Sequence, residues 1–448
     1  MSQFLLPVNY QPPTGIRRIM STQVGDWPVY SFLLALGQIM AANSYQITLL
    51  AGQVGQTSGQ LYTIACIYLA SSLVWWYIFR RLPALYVLST PFLFYGFAFF
   101  LLAFAPYASS KASRGWVQNV ATAFYAIASA SGSFFFSLNF SGGSAPVSAW
   151  SFRACMIQGT QQLYIVGLWF WGAKLANANA TGHSTAYGGS VLTGMGIPIS
   201  LFLWAVSAVL FFGLPDYYRQ NPGGLPSFYS SVMRRKIVIW FFVAVFIQNF
   251  FLSAPYGRNW GYLWSSQHAP KWAIFLLIIL FFVVLWAGIL FLFSYLSGTH
   301  SWIVPMFAVG LGAPRWCQIL WATSNIGTFL PWAGGPVASA LLGRCLWLWL
   351  GLLDTIQGVG IGMLLLQTLT RFHITFALVG AQVIGSIATI IGRADGLSSV
   401  GPLPYFPSFA TNVSEGLSYA GFWICMFFQI IVCVGYFAFF RKEQLSKP

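Results

Sequence analysis

Leu214-Pro-Asp-Tyr-Tyr-Arg-Gln-Asn-Pro-Gly-Gly-Leu-Pro-Ser-Phe-Tyr-Ser-Ser-Val-Met-Arg-Arg-Lys236 is the longest polar interruption in the middle of an otherwise apolar chain of 448 residues. Windows of about 20 apolar residues, the length needed to cross a hydrocarbon core, recur on both sides of it. Six precede it, near 28–50, 60–79, 84–105, 116–138, 151–173 and 195–213. Six follow, near 237–254, 272–296, 303–325, 341–369, 372–392 and 417–440. The stretch reads as a cytoplasmic linker, 214–236, between two six-helix halves, 27–213 and 237–440. Short cytoplasmic segments flank them at 1–26 and 441–448. The expected fold is an all-α integral membrane protein of about twelve transmembrane helices.

Composition excludes the soluble alternatives. The chain carries 21 basic and 6 acidic residues, 6% charged against 58% hydrophobic, where a water-soluble domain has about 25% charged residues. The formal net charge of +15 does not point to nucleic acid, because the basic residues stand in ones, twos and one triplet at the ends of apolar runs. They read as topology signals and lipid anchors. The six cysteines fall within apolar runs without a Cys-x-x-Cys pair and read as small buried side chains. The four histidines are far apart, so neither a metal site nor a cofactor is expected. Met1 to Met20 contains no apolar core of signal-peptide length, so targeting is expected to fall to the first span.

With the N-terminus in the cytoplasm and alternating spans, 13 basic residues fall inside, 7 outside, and Arg315 lies within a span. Both termini are therefore expected to be cytoplasmic. The sequons at Asn179 and Asn412 then fall outside, as glycosylation requires, and that at Asn139 falls inside as an unused match. The outer loops 174–194 and 393–416, rich in Gly, Ser, Ala, Asn and Pro, are expected to be irregular. Six plus six helices, termini inside, a basic turn Arg80-Arg81-Leu-Pro83 and a polar central linker resemble the major facilitator layout. That layout implies inverted repeats and a midplane site between the halves. No residue-level repeat relates 28–213 to 237–440.

Asp354 is the one carboxylate deep inside an apolar run, Leu346-Trp-Leu-Trp-Leu-Gly-Leu-Leu-Asp354-Thr-Ile-Gln357. An ionised group at bilayer depth costs several kcal/mol and usually pairs or faces a polar cavity. Arg315, after Pro314 in the ninth expected span, is its candidate partner. The pair either gates a pathway or locks two helices together. Gln357 lies three residues from Asp354, on the same helical face. Glutamines recur inside the spans, from Gln38 to Gln429. Gln158 and Gln162 are one turn apart and form a polar stripe beside Arg153. Amides that both donate and accept suit sugar hydroxyls; the alternative is interhelical hydrogen bonding. Arg315, Asp354, Gln357, Arg153, Gln158 and Gln162 are thus the candidate pathway residues. The 20 tryptophans are mostly explained by interfacial belts. Gly358-Val-Gly360-Ile-Gly362 and Ser129-Ala-Ser131-Gly-Ser133 sit mid-span and read as close-packing segments.

No catalytic constellation is present. The other carboxylates, Asp26, Asp216, Asp395, Glu415 and Glu443, are isolated in sequence, and no loop exceeds about 25 residues, well below the ~50 of the smallest domains. The chain alone is not expected to be a glycosyltransferase.

Gly25-Asp-Trp-Pro-Val-Tyr30, Ser44-Tyr-Gln-Ile-Thr-Leu-Leu50, Leu346 to Gly360 and Phe439-Phe-Arg-Lys-Glu-Gln-Leu-Ser-Lys-Pro448 together resemble the C-terminal multi-pass region of fungal cell-wall alpha-1,3-glucan synthases. The likeness runs from about residue 4 to the terminus. It implies a fragment of a UDP-glucose-dependent synthase, with a cytoplasmic glycosyltransferase domain expected before Met1. It also implies that this region, in the plasma membrane, exports the nascent alpha-glucan. The implied partners are that transferase, the glucan chain and membrane lipids. No functional residues are carried over. The rival readings are an independent secondary transporter of a small polar solute and a passive membrane anchor for a glycosyltransferase.

Overall fold

The computed structural model describes residues 12–25, 27–52, 58–132 and 184–221, with scattered positions near 134–138, 239–246, 380–387 and 431–438. A short helix α1 (Ile16–Ser21) precedes a two-stranded antiparallel ribbon, β1 (Gln23–Val24) and β2 (Trp27–Pro28). The reversal between the strands uses Gly25 at φ +62°, a conformation without steric cost only for glycine. Then come α2 (Val29–Gly52), α3 (Ser58–Arg81), α4 (Ala84–Phe104) and α5 (Lys111–Ser129). The last described helix, α6 (Ser184–Gly213), is followed by a 3-10 turn, Asp216–Tyr218. These helices pack into one compact unit. The expected spans at 28–50, 60–79 and 84–105 coincide with α2, α3 and α4 to within two residues at each end. The expected spans 151–173, 272–296, 303–325 and 341–369 lie outside the described residues.

At 1.5 Å per residue, the 21 residues of α4 reach roughly 31 Å, enough for a bilayer core. The segments Ala84–Tyr107 and Thr193–Gly213 are apolar enough to cross a membrane on length and composition. Exposed Leu93, Phe97, Phe100, Phe104 and Leu201 on α4 and α6 suit a surface solvated by lipid. Pro91 and Pro198 lie inside α4 and α6 without ending either, as spanning helices tolerate.

Two expectations are corrected. The fourth span, 116–138, is not one helix: α5 begins earlier, capped by Ser110, whose Oγ accepts from the Ser113 N–H at 3.1 Å. It ends at Ser129, and a turn at 130–131 precedes further helical positions. At that end the hydroxyls of Ser129 and Ser131 donate to the carbonyls of Ala126 (3.2 Å) and Ala128 (2.7 Å). Such local bonds offer the backbone an alternative to helix. Ala130 and Ser131 are nonetheless buried, whereas a Cβ on Gly132 would meet nothing within 4 Å, so only part of the segment packs closely. The segment 174–194 is not irregular throughout, because α6 begins at Ser184. Its glycines and serines resemble a water-exposed loop, but small residues let membrane helices approach one another.

Among the described helices, α4 and α6 pack against each other most extensively. Thr193 Oγ1 donates to the Ala103 carbonyl at 2.8 Å, Ser200 Oγ to Gly96 at 2.8 Å and Ser207 Oγ to Ser89 at 2.9 Å. The donors recur every seven residues along α6 and the acceptors every seven along α4 in the opposite direction. That period holds an antiparallel seam on one face of each helix. Trp204 adds an Nε1–H bond to the Leu93 carbonyl at 3.1 Å. A Cβ on Gly96 would fall 2.2 Å from Trp204 Nε1, and one on Gly196 would fall 2.8 Å from the Cβ of Ala103. Elsewhere, Gly37 of α2 abuts the Phe92 ring of α4, and Trp75 Nε1 of α3 donates to Ile127 of α5 at 2.7 Å.

Candidate functional site

The pathway residues expected from sequence, Arg315, Asp354, Gln357, Arg153, Gln158 and Gln162, lie outside the described residues, as do the sequons at Asn179 and Asn412. The described helices contribute a different polar group at bilayer depth. Tyr95, fully buried on α4, directs its hydroxyl at Gln38 Oε1 of α2, 3.5 Å away. Its ring lies 5.5 Å from that of Tyr125 on α5, and Tyr68 of α3 is near enough to interact with it electrostatically. Gln38 of α2 and Tyr125 of α5 therefore meet one phenol roughly midway along α4, with α3 packed against the same helix.

Each position follows from its helix. Gln118, Thr122 and Tyr125 recur at i, i+4 and i+7 and so share one face of α5, on which Gln118 and Thr122 are buried. Thr122 Oγ1 donates to the Gln118 carbonyl at 2.7 Å. Ser72, one turn along α3 from Tyr68, is buried and donates to the Tyr68 carbonyl at 2.9 Å. The cluster holds amide, phenol and hydroxyl groups and no carboxylate among the described residues. It can exchange hydrogen bonds with a hydroxyl-rich ligand, but it offers no group suited to proton abstraction near neutral pH. The glutamine count flags Gln38; the three tyrosines are hidden in sequence by the interfacial role usual for aromatic residues.

A second polar assembly lies where α2 begins and α6 ends. Asp216, isolated in sequence, pairs with Arg17 of α1 at 2.9 Å. Arg17 Nε also reaches the Phe212 carbonyl at 3.4 Å. Arg219 closes the C-terminus of α6, donating from Nε to the Leu214 carbonyl at 3.1 Å and from Nη2 to that of Phe211. A basic residue there also complements the negative end of the helix dipole. Burial draws the Arg219 guanidinium below its ordinary pKa and the like charge of Arg17 adds to this, against the opposing pull of Asp216 and Tyr86. Tyr217 shares a hydrogen bond with the Tyr30 hydroxyl, and Tyr218 donates to the Leu138 carbonyl at 3.0 Å. Burial pushes the Tyr217 phenol well above its usual range, reinforced by its neighbours Tyr218 and Tyr30. The first residues of the expected linker are thus built into the helical unit.

This fold and sequence have known counterparts. The chain superposes on the human organic anion transporter MFSD10 with a TM-score of 0.55 at 13% identity, covering 96% of this chain and 100% of the other. It superposes on the Major Facilitator Superfamily transporter FucP in its outward conformation with a TM-score of 0.55 at 15% identity, covering 94% and 99%. At such identities the likeness speaks for the fold alone, that of a multi-pass, major-facilitator-like helical membrane protein. In sequence the chain is 48% identical to the cell wall alpha-1,3-glucan synthase ags1 of Schizosaccharomyces pombe over 442 residues, 97% of this chain and 18% of that one. It is 44% identical to the cell wall alpha-1,3-glucan synthase mok13 of the same organism, over 97% of this chain and 19% of the other. It thus spans about a fifth of the length of these relatives. A family model for a Mok13-like, transmembrane domain, designated 12TM, matches residues 18–445. With that match spanning nearly every residue, the chain belongs to the Mok13-like transmembrane domain family.

Proposed function

We propose that this chain is the membrane domain of a cell-wall alpha-1,3-glucan synthase and carries the nascent alpha-glucan outward across the plasma membrane between two six-helix halves. One observation carries the reading: a transporter-like fold occurs in a sequence 48% identical to part of an alpha-1,3-glucan synthase over 97% of its length. A polymer made in the cytoplasm needs a polar path, because each hydroxyl left unpaired in hydrocarbon costs several kcal/mol. In this reading both termini are cytoplasmic, and a cytoplasmic glycosyltransferase domain hands its product to the path.

The path wall is assigned to Arg315, Asp354 and Gln357 from one half and to Arg153, Gln158 and Gln162 from the other. Gln38 and Tyr125 of the mid-depth cluster are, within the first helical unit alone, further groups suited to sugar hydroxyls. The decisive experiment places Asp354→Asn and Arg315→Gln in the complete synthase and measures glucan deposited at the surface beside glucan retained in the cell. A folded, correctly localised variant should retain product inside; normal deposition removes these residues from the path.

The likeness to solute transporters supports a second reading, an independent secondary transporter of a small polar solute. Native size separates the two. An antibody to the tail that detects only a species near the 49.5 kDa of this chain favours the transporter, whereas a much larger species favours the synthase.

A further inference from the structure

The corner where α1 crosses the end of α6 combines features that the glucan path does not use. A Cβ placed on Gly213 would lie 2.5 Å from Met20 Cγ and 3.0 Å from Ile16 Cγ2, so α1 rests directly on the last turn of α6. Two arginines meet there, Arg17 and Arg219, with Arg18 next to Arg17 on α1, against one described carboxylate, Asp216. Arg17 and Asp216 keep 42% and 33% of their side-chain surface exposed, and Arg18 is exposed. Arg219 is half-buried, with its guanidinium oriented by two backbone carbonyls. Beside these charges stand exposed apolar side chains, Ile16 (48%), Ile19 (61%) and Phe212 (60%). Water is a poor solvent for that rim. At the end of a spanning helix, acyl chains would cover it.

Guanidinium groups bind phosphate oxygens through paired N–H donors, and a fixed guanidinium loses little freedom on doing so. We propose that this corner binds the headgroup of an anionic phospholipid, with Arg17 and Arg219 holding the phosphate and Ile16, Ile19 and Phe212 lying against the chains. Asp216 is the internal competitor, occupying Arg17 when the lipid is absent. The assignment is independent of any glucan path and holds equally for a secondary transporter.

The test uses the full chain in detergent with phosphatidylcholine, with phosphatidylserine or phosphatidylinositol, or with inorganic phosphate. Retained lipid is read by native mass spectrometry and stability by thermal melting. Anionic lipid should be retained in preference to phosphatidylcholine and should raise the melting temperature. Retention should fall roughly fivefold in Arg17→Gln and again in Arg219→Gln, as expected for one basic residue at a charged membrane surface. Asp216→Asn should increase retention, an outcome that a purely structural salt bridge would not produce. Melting in phosphatidylcholine alone reports whether each variant folds. Equal retention of anionic and zwitterionic lipid overturns the proposal, as does loss of retention in Asp216→Asn. Stabilisation by inorganic phosphate equal to that by lipid overturns the lipid assignment in favour of a free-anion site.

Discussion

The α4–α6 seam and the mid-depth cluster around Tyr95 draw on similar polar side chains and use them differently. In the seam, three hydroxyls of α6 each reach a backbone carbonyl of α4 at 2.8 to 2.9 Å. In the cluster, Ser72 and Thr122 bond to carbonyls of their own helices, and the contact between helices is one of side chains: the Tyr95 hydroxyl stands 3.5 Å from its glutamine partner, at the limit of a useful hydrogen bond. Each of the seam's hydroxyls holds a backbone carbonyl, and Thr193 also meets the Tyr107 hydroxyl at 3.3 Å. Among the described residues, the Gln38 amide has only this long contact from Tyr95. The contacts between helices therefore differ by partner in these two places: three backbone carbonyls mark the seam as scaffold, and the long Tyr95–Gln38 pair is the contact that a ligand is expected to re-use.

The sharpest way to break this division is Gly96→Leu. A Cβ at that position would already meet the Trp204 ring at 2.2 Å, and a full leucine must push α6 off α4 or displace the indole from its bond to Leu93. Overpacking a well-filled site typically costs up to about 3 kcal/mol. The expected result is loss of monodisperse protein in fluorescence-detected size exclusion. A variant that elutes and melts as the parent would mean that the seam is not the rigid element.

The next effect is smaller and tests the hydroxyls themselves. Thr193→Val, Ser200→Ala and Ser207→Ala together remove the three seven-residue donors while leaving close packing in place. Interhelical hydrogen bonds in membranes average about 0.6 kcal/mol each, so the triple variant should lose roughly 2 kcal/mol. Thermal melting in detergent measures it, and under the proposed role glucan export by the complete synthase, scaled to the amount of folded protein, should be unchanged. Export that falls while stability holds would move the seam from scaffold to function.

Much of this arrangement was legible in the sequence, and the limits have physical causes. The edges of α2, α3 and α4 follow from apolar windows bounded by Arg80-Arg81 and Pro83, because lipid solvates only one kind of surface. The start of α6 was not legible, since Gly188-Gly189 and their serine neighbours have a loop composition in water and a packing composition in lipid. Thr193, Ser200 and Ser207 form a visible seven-residue repeat only once α4 is known to lie against them. The pairing of Asp216 with Arg17 joins positions 199 apart, and no local pattern announces it. The proposed path residues Arg315 and Asp354 rest on the cost of burying charge, which sequence displays directly.

The smallest stability effect is expected at the centre of the cluster, and it bears most directly on the division. Tyr95→Phe keeps the buried ring, with its contacts to Phe92 and Tyr125, and deletes only the hydroxyl. Because that hydroxyl meets Gln38 at 3.5 Å, its removal should cost below about 0.5 kcal/mol, the lower end for an intramolecular hydrogen bond. If Gln38 reads sugar hydroxyls in the path, its amide loses the group that orients it, and export in the complete synthase should fall severalfold at unchanged melting temperature. Gln38→Leu should fall at least as far, since it removes the amide itself. A Tyr95→Phe variant that destabilises as much as a seam hydroxyl and exports normally per folded molecule would make the cluster a second seam. The path would then rest on Arg315, Asp354 and Gln357 with Arg153, Gln158 and Gln162.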